Sequence, residues 1–201
     1  MNARELLRDG DLDGCLAALK NEIRTSPSDA KLRVFLFQLM SVLGDWDRAM
    51  TQLNVAADLD PGCLLMAQVC RQLLNIEVFR NEVFAGKRNP LIFGEPAEWI
   101  GWLVQANRLL ADDQGSAAAD LRDQAFDAAP MVAGTLDGTA FTWIADADTR
   151  LGPLLEVVVE GRYYWVPYSS IKLIRIEKPE DLRDVVWIPA DFVWSNGGQT
   201  S

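Results

Sequence analysis

Five identities recur at one fixed offset in the first third of the chain. When GDLDGCLAALKNEIRTSP (10–27) is laid over GDWDRAMTQLNVAADLDP (44–61), Gly10 and Asp11 fall on Gly44 and Asp45, Asp13 on Asp47, Leu19 on Leu53 and Pro27 on Pro61, each 34 residues on. A repeated unit of this length carries an apolar face that only its neighbour can bury, so the chain must stack. The Gly-Asp pair predicts a turn that opens a helix, and the proline closes it. Where the two helices of a unit come closest a small residue is needed. Cys15 fills that place in one copy and Ala49 in the other. Cys15 is thus a packing residue, since a buried free cysteine behaves as a small hydrophobe.

A period of 34 is that of tetratricopeptide repeats, pairs of antiparallel helices. A third copy is predicted in WLVQANRLLADDQGSAAADLRDQAFDAAP (102–130), with Trp102, Ala106 and Leu109 in its first helix and Ala118, Ala125 and Pro130 in its second. CLLMAQVCRQLLNIEVFRNEVFAG (63–86) has apolar spacing of three and four and reads as helix. Cys63 and Cys70 share a face there with Ala67, as a core stripe rather than a zinc site, which needs a further strong ligand. KRNPLIFGEPAEW (87–99) interrupts the array, and its Gly-Glu-Pro-Ala-Glu run starts the next helix.

After Pro130 the period changes. TAFTWIA (139–145), LLEVVVE (154–160), RYYWVP (162–167), IKLIRIE (171–177), VVWIP (185–189) and FVW (192–194) are short and rich in β-branched and aromatic residues. Glu160-Gly161 predicts a tight hairpin, while Pro167 and Pro189 are confined to strand ends or edges. The fold class is α+β: tetratricopeptide-like helical repeats over residues 1–130, then a small antiparallel β-rich domain, a sheet or partial barrel of about five strands, over 131–201.

Composition removes several kinds of function. The net charge is −10 with no clustered basic face, which argues against nucleic acid and anionic membrane as partners. The chain has no histidine, so Ser-His-Asp and Cys-His mechanisms and histidine-ligated zinc are excluded. Three cysteines make no CxxC pair and no disulfide framework. The polar start and the lack of a long apolar run predict neither signal peptide nor membrane span, hence a cytoplasmic protein. No cofactor is implied.

The sharpest candidate for chemistry is WIADADTRLGP (143–153). Asp146 and Asp148 form a DxD pair of the kind that holds Mg²⁺ or Mn²⁺ beside a nucleotide-sugar, but no βαβ pattern or phosphate loop precedes it. In a calcium loop Arg150 would stand at a ligand position and Leu151 where glycine is required, which disfavours calcium. Paired carboxylates can also act as acid and base. On an extended chain, however, Asp146, Asp148 and Arg150 share a face, and the reading that needs least is a turn whose aspartates accept backbone N–H groups and pair with Arg150. In RYYWVP, alternation sets Tyr163 and Trp165 on one face and Tyr164 on the other, one of them facing a core and the other open to recognition. KPEDLRDVVW (178–187) reads as a turn with solvated charges.

GEPAEWIGWL, WIADADTRLGPLLEVVVEGRYYWVPYSSI and EKPEDLRDVVWIPA, placed after a tetratricopeptide-like half, resemble the ImpE family, also called TagJ, accessory proteins of bacterial type VI secretion clusters. The resemblance covers nearly the whole chain. It implies a non-enzymatic adaptor in the cytoplasm that binds an N-terminal helix of the small contractile-sheath subunit and bears on sheath handling by the disassembly ATPase. It also implies a further basic and aromatic segment, which WSNGGQTS at the end of this chain does not contain. It makes Asp146, Asp148, Arg150, Tyr164 and Trp165 family signature residues without an assigned role. The alternative is a carboxylate-dependent hydrolase or metal-dependent transferase centred on Asp146 and Asp148. From repeat register alone, the concave groove of such an array is lined by Lys31, Val34, Gln38 and Val42 in the second repeat and by Leu103, Asn107 and Leu110 in the last, unless the C-terminal part of the chain fills it.

Overall fold

The structure is a computed structural model and describes residues 2–200. Two compact units are formed, each from two separate stretches: residues 1–77 with 177–189, and residues 78–176 with 190–201. This differs from a division after residue 130. The boundary falls inside a helix, and a short late segment belongs to the first unit.

The first unit holds α1 (Ala3–Arg8), α2 (Leu12–Thr25), α3 (Ala30–Val42), α4 (Trp46–Leu59) and the start of α5 (Leu64–Phe84). The repeated Gly-Asp has a local cause. Gly10 and Gly44 take φ of +79° and +72°, a left-handed turn that costs glycine no Cβ clash. Each next aspartate then caps a helix: Asp11 accepts the Gly14 N–H at 2.8 Å and Asp45 the Arg48 N–H at 3.2 Å. The matched positions Cys15 and Ala49, and Leu19 and Leu53, are all fully buried in one core, which also takes in Phe37, Leu39, Ala67, Cys70 and Leu74. The repeat period thus maps onto helix pairs stacked by their smallest side chains.

Residues 177–189 form a strap on this unit. A single 3₁₀ turn, Leu182–Val185, packs on α3, and Leu182 and Trp187 lie against the helical core. The Trp187 ring sits 6.2 Å from that of Trp46, and its Nε1–H donates to Glu77 at 3.0 Å. Asp184 is buried, accepting the N–H groups of Glu180 and Asp181 at 2.9 Å each, with Arg183 beside it. The expected turn forms with Lys178, Glu180 and Asp181 exposed, but Asp184 is buried, and no strand forms at VVWIP. Leu182 and Trp187 pack against a core made of helices, while Val185 and Ile188 stay exposed.

The second unit holds the rest of α5, the helix pair α6 (Glu98–Ala111) and α7 (Gly115–Ala128), and all the strands: β1 (Leu91–Ile92), β2 (Gly134–Leu136), β3 (Thr139–Phe141), β4 (Leu154–Val159), β5 (Arg162–Pro167), β6 (Ile171–Ile176), β7 (Ala190–Trp194) and β8 (Gln199–Thr200). The strands pair as three small sheets, β1-β5-β4, β2-β3 and β6-β7-β8, instead of the single sheet or partial barrel expected from their number. β1 joins β5 in parallel, from a stretch with no strand period of its own. Glu160 and Gly161 turn β4 into β5 with φ of +50° and +71°, as the hairpin reading requires. Val157, Val166, Phe192 and Trp194 make a second core with Phe93 and Tyr164 against it.

Candidate functional site

The signature loop of the second unit closes on itself. Asp146 Oδ1 accepts the Asp148 N–H at 2.7 Å, and Asp148 Oδ1 accepts the Arg150 N–H at 2.9 Å. These are two successive side-chain turns of the kind aspartate favours. The Asp146 N–H donates to the Gly152 carbonyl at 2.6 Å. Gly152 has φ +53°, and a Cβ there would lie 2.3 Å from the Phe126 ring of α7, so the loop needs glycine at its exit. Arg150 then grips Asp148 with Nε at 2.9 and 3.0 Å and Nη2 at 2.5 Å. Its guanidinium lies 4.2 Å from the centre of the Phe84 ring.

A second ion pair stands over the same ring. Arg80 donates to Glu156 through Nε at 2.6 Å and Nη2 at 2.8 Å, and its guanidinium lies 4.7 Å from Phe84. The Tyr163 hydroxyl donates to Glu156, and Trp165 Nε1–H donates to the Tyr163 oxygen at 2.8 Å. Strand alternation puts Tyr163 and Trp165 side by side and buried, touched by Phe79 and Phe84 respectively. Tyr164 points the other way and meets Phe93 edge-on at 6.0 Å, so the second face of RYYWVP is packed as well. Arg80, Phe84 and Glu156 had no part in the expected site. Their signal was faint: one acidic residue inside the apolar run LLEVVV, and an Arg and a Phe four apart on a helix.

What this arrangement does chemically follows from the state of its carboxylates. The hydrogen bonds from the Arg150 guanidinium, with its N–H and charge, outweigh burial and hold Asp148 below its ordinary pKa of 3.8. Burial first, and then the negative charge of Glu156, pushes Tyr163 far above its usual value, so it remains a hydroxyl donor. A general acid needs a raised carboxyl and a base a free one. Asp148 and Glu156 are instead doubly bonded to guanidinium groups. Among the described residues no three His, Cys, Asp or Glu side chains gather as metal ligands. The geometry is that of a clamp joining α5, the loop and the β4–β5 hairpin.

Asp184 in the strap is likewise lowered: burial alone would raise it, but the N–H groups of Asp181 and Glu180, helped by Arg183, prevail. A carboxylate with a depressed folded pKa stabilises fully above its unfolded value and loses that contribution as pH falls through the folded one. Stability is therefore expected to hold down to about pH 4 and to decline below it, as read by urea midpoints from pH 6 to 2.5. Asp148→Asn should flatten part of that decline.

Residues 138–201 match the family model described as ImpE protein. Over 200 residues, all of this chain and 71% of the relative, the sequence is 52% identical to the type VI secretion system accessory component TagJ of Pseudomonas aeruginosa. The chain belongs to the ImpE/TagJ family. The crystal structure of protein VPA1032 from Vibrio parahaemolyticus shares the fold, with a TM-score of 0.90 at 29% identity over 98% of this chain and 74% of that one. In this ImpE/TagJ chain Asp148 and Arg150 form the clamp and Trp165 lies in the core.

The groove positions expected from repeat register are divided by burial. In the first unit Lys31 is exposed, Val34 and Val42 are half-buried, and Gln38 is buried. In the second, Leu110 is exposed, Leu103 is buried, and buried Asn107 donates to the Val83 carbonyl at 2.7 Å. Gln38, Leu103 and Asn107 therefore belong to the interior and present nothing to a partner. The reason in α3 is plain, since six consecutive residues, Leu36 to Ser41, are buried. A helix is covered on all sides only when something lies on its outer face, and here the strap packs on it. The C-terminal part of the chain fills that stretch itself.

Proposed function

We propose that this ImpE/TagJ protein is a non-enzymatic adaptor of a type VI secretion system. In this reading it works in the cytoplasm, binds a helix of the small contractile-sheath subunit, and links that subunit to the disassembly ATPase. The observation that carries the reading is the 52% identity, over the whole chain, to a protein named as an accessory component of that system. The net charge of −10 supports protein partners over nucleic acid, and among the described residues no helix is long and apolar enough to cross a membrane.

Isothermal titration of the full chain with the N-terminal helix of the sheath subunit tests it. A micromolar dissociation constant is expected, and no heat at several hundred micromolar, with the protein folded, would sink the idea. The competing hydrolase or transferase reading depends on a free Asp146 and Asp148. Asp146→Asn and Asp148→Asn are expected to change stability by about 1 kcal/mol each and to leave secretion intact. A secretion defect in a variant that is folded at normal levels would favour the enzyme.

A further inference from the structure

The part of α5 in the first unit carries an exposed face without charge. Asp, Glu, Lys and Arg make up 24% of the chain, yet the exposed residues between positions 64 and 77 are Leu64, Leu65, Gln68, Val69, Gln72 and Asn75. Leu65 is 76% exposed, Leu64 53% and Val69 51%. Leu59, at the end of α4, is 40% exposed as well. The two charged residues of this stretch are turned aside: Arg71 bonds Asn54 at 2.7 Å, and Glu77 accepts from Trp187. The opposite face, Ala67, Cys70 and Leu74, already sits in the core. A spacing of three and four makes the outer residues a second stripe on a helix whose first stripe is fully used. Exposed leucine and valine along one uncharged helix face suit a contact site.

We propose that this face docks one amphipathic helix of a partner protein, with apolar residues laid on Leu65 and Val69 and basic residues at the end that meets Asp58 and Asp60. The charge of the occupant follows from the rim. From position 49 to 70 the chain holds no Lys or Arg, and its only charges are Asp58 and Asp60, both exposed, at the N-terminal end of the patch. A basic partner helix completes that rim and is drawn in by the acidic chain. A second copy of the chain would bring the same acidic rim. The proposal rests on the adaptor reading and moves its binding surface from α3, which the strap covers, to α5.

The test uses the full chain and two probes: the N-terminal helix peptide of the sheath subunit, and a model amphipathic helix of leucine and lysine. Leu65→Asp and Val69→Asp are each expected to weaken binding at least about tenfold while circular dichroism stays unchanged. Asp58→Asn should weaken it about threefold and reduce its salt dependence, and Val34→Asp on α3 should leave it as it was. If the sheath peptide binds and Leu65→Asp makes no difference, the surface is wrong and the adaptor reading survives. If only the leucine-lysine helix binds, and Leu65→Asp abolishes it, the surface stands and the sheath partner falls. Binding of neither probe overturns both.

Discussion

Replacing Glu156 by alanine is expected to destabilise the protein by about 3 kcal/mol, which for a chain of this length lowers the melting temperature by about 8 °C. Three losses contribute. The Arg80 guanidinium loses a bidentate partner in a site where the two side chains are 33% and 21% exposed, between the regimes of surface and interior pairs. The Tyr163 hydroxyl loses the carboxylate it donates to while buried, which costs on the order of 1–2 kcal/mol. Trp165 then donates to a hydroxyl with no place to send its own proton. Glu156→Gln keeps the volume and one acceptor and should cost about half as much. Urea unfolding followed by tryptophan fluorescence reads both variants. A loss below about 1 kcal/mol in Glu156→Ala would show that water screens the pair and that the aromatic contacts alone hold the hairpin.

The clamp was out of reach of sequence reasoning because its members lie far apart in the chain. Arg80 and Glu156 are separated by 76 residues, and nothing local in either segment points to the other. What was legible had a local cause. Gly-Asp at 10–11 and 44–45 is a left-handed residue followed by a cap, which is chemistry within four residues. Glu160-Gly161 is a turn that strand twist demands. Aspartate accepting the N–H two residues on was enough to read Asp146, Asp148 and Arg150 as a closed turn, and the bonds at 2.7 and 2.9 Å are of that type.

Sheet architecture was legible only in pairs. The β4–β5 hairpin follows from alternation, but alternation does not say which strands meet, and the parallel partner β1 has two residues and no period. VVWIP misleads for a related reason. Valine, isoleucine and tryptophan fit a pleated, half-buried strand, but here Trp187 alone packs on a helical core while Val185 and Ile188 stay exposed, and composition does not tell the two cases apart. Burial on α3 also removed Gln38 from the groove that repeat register assigns to it. Repeat register could not show that the chain returns 140 or so residues later to pack on α3.

Truncating Trp187 in that return segment is the other change with a large expected effect. The ring touches Trp46 and the helical core, and its N–H reaches Glu77. Trp→Ala at such a position costs about 3 kcal/mol, and the loss should be local. The strap has one 3₁₀ turn and no strand pairing, so few backbone bonds hold it once its anchor is gone. Trp187→Ala is therefore expected to raise trypsin cleavage after Arg183 at least about tenfold, while helix content by circular dichroism stays near normal. Trp187→Phe, which keeps a ring over Trp46 and loses only the N–H, should cost about 1 kcal/mol and cleave at an intermediate rate. Cleavage of Trp187→Ala at the native rate would mean that Leu182 and the Asp181–Asp184 cap hold the segment without it. Release of the strap would also uncover α3 between Leu36 and Ser41, so an apolar dye should bind Trp187→Ala and not the native chain. That result would tie the burial of six consecutive helical residues to this one segment.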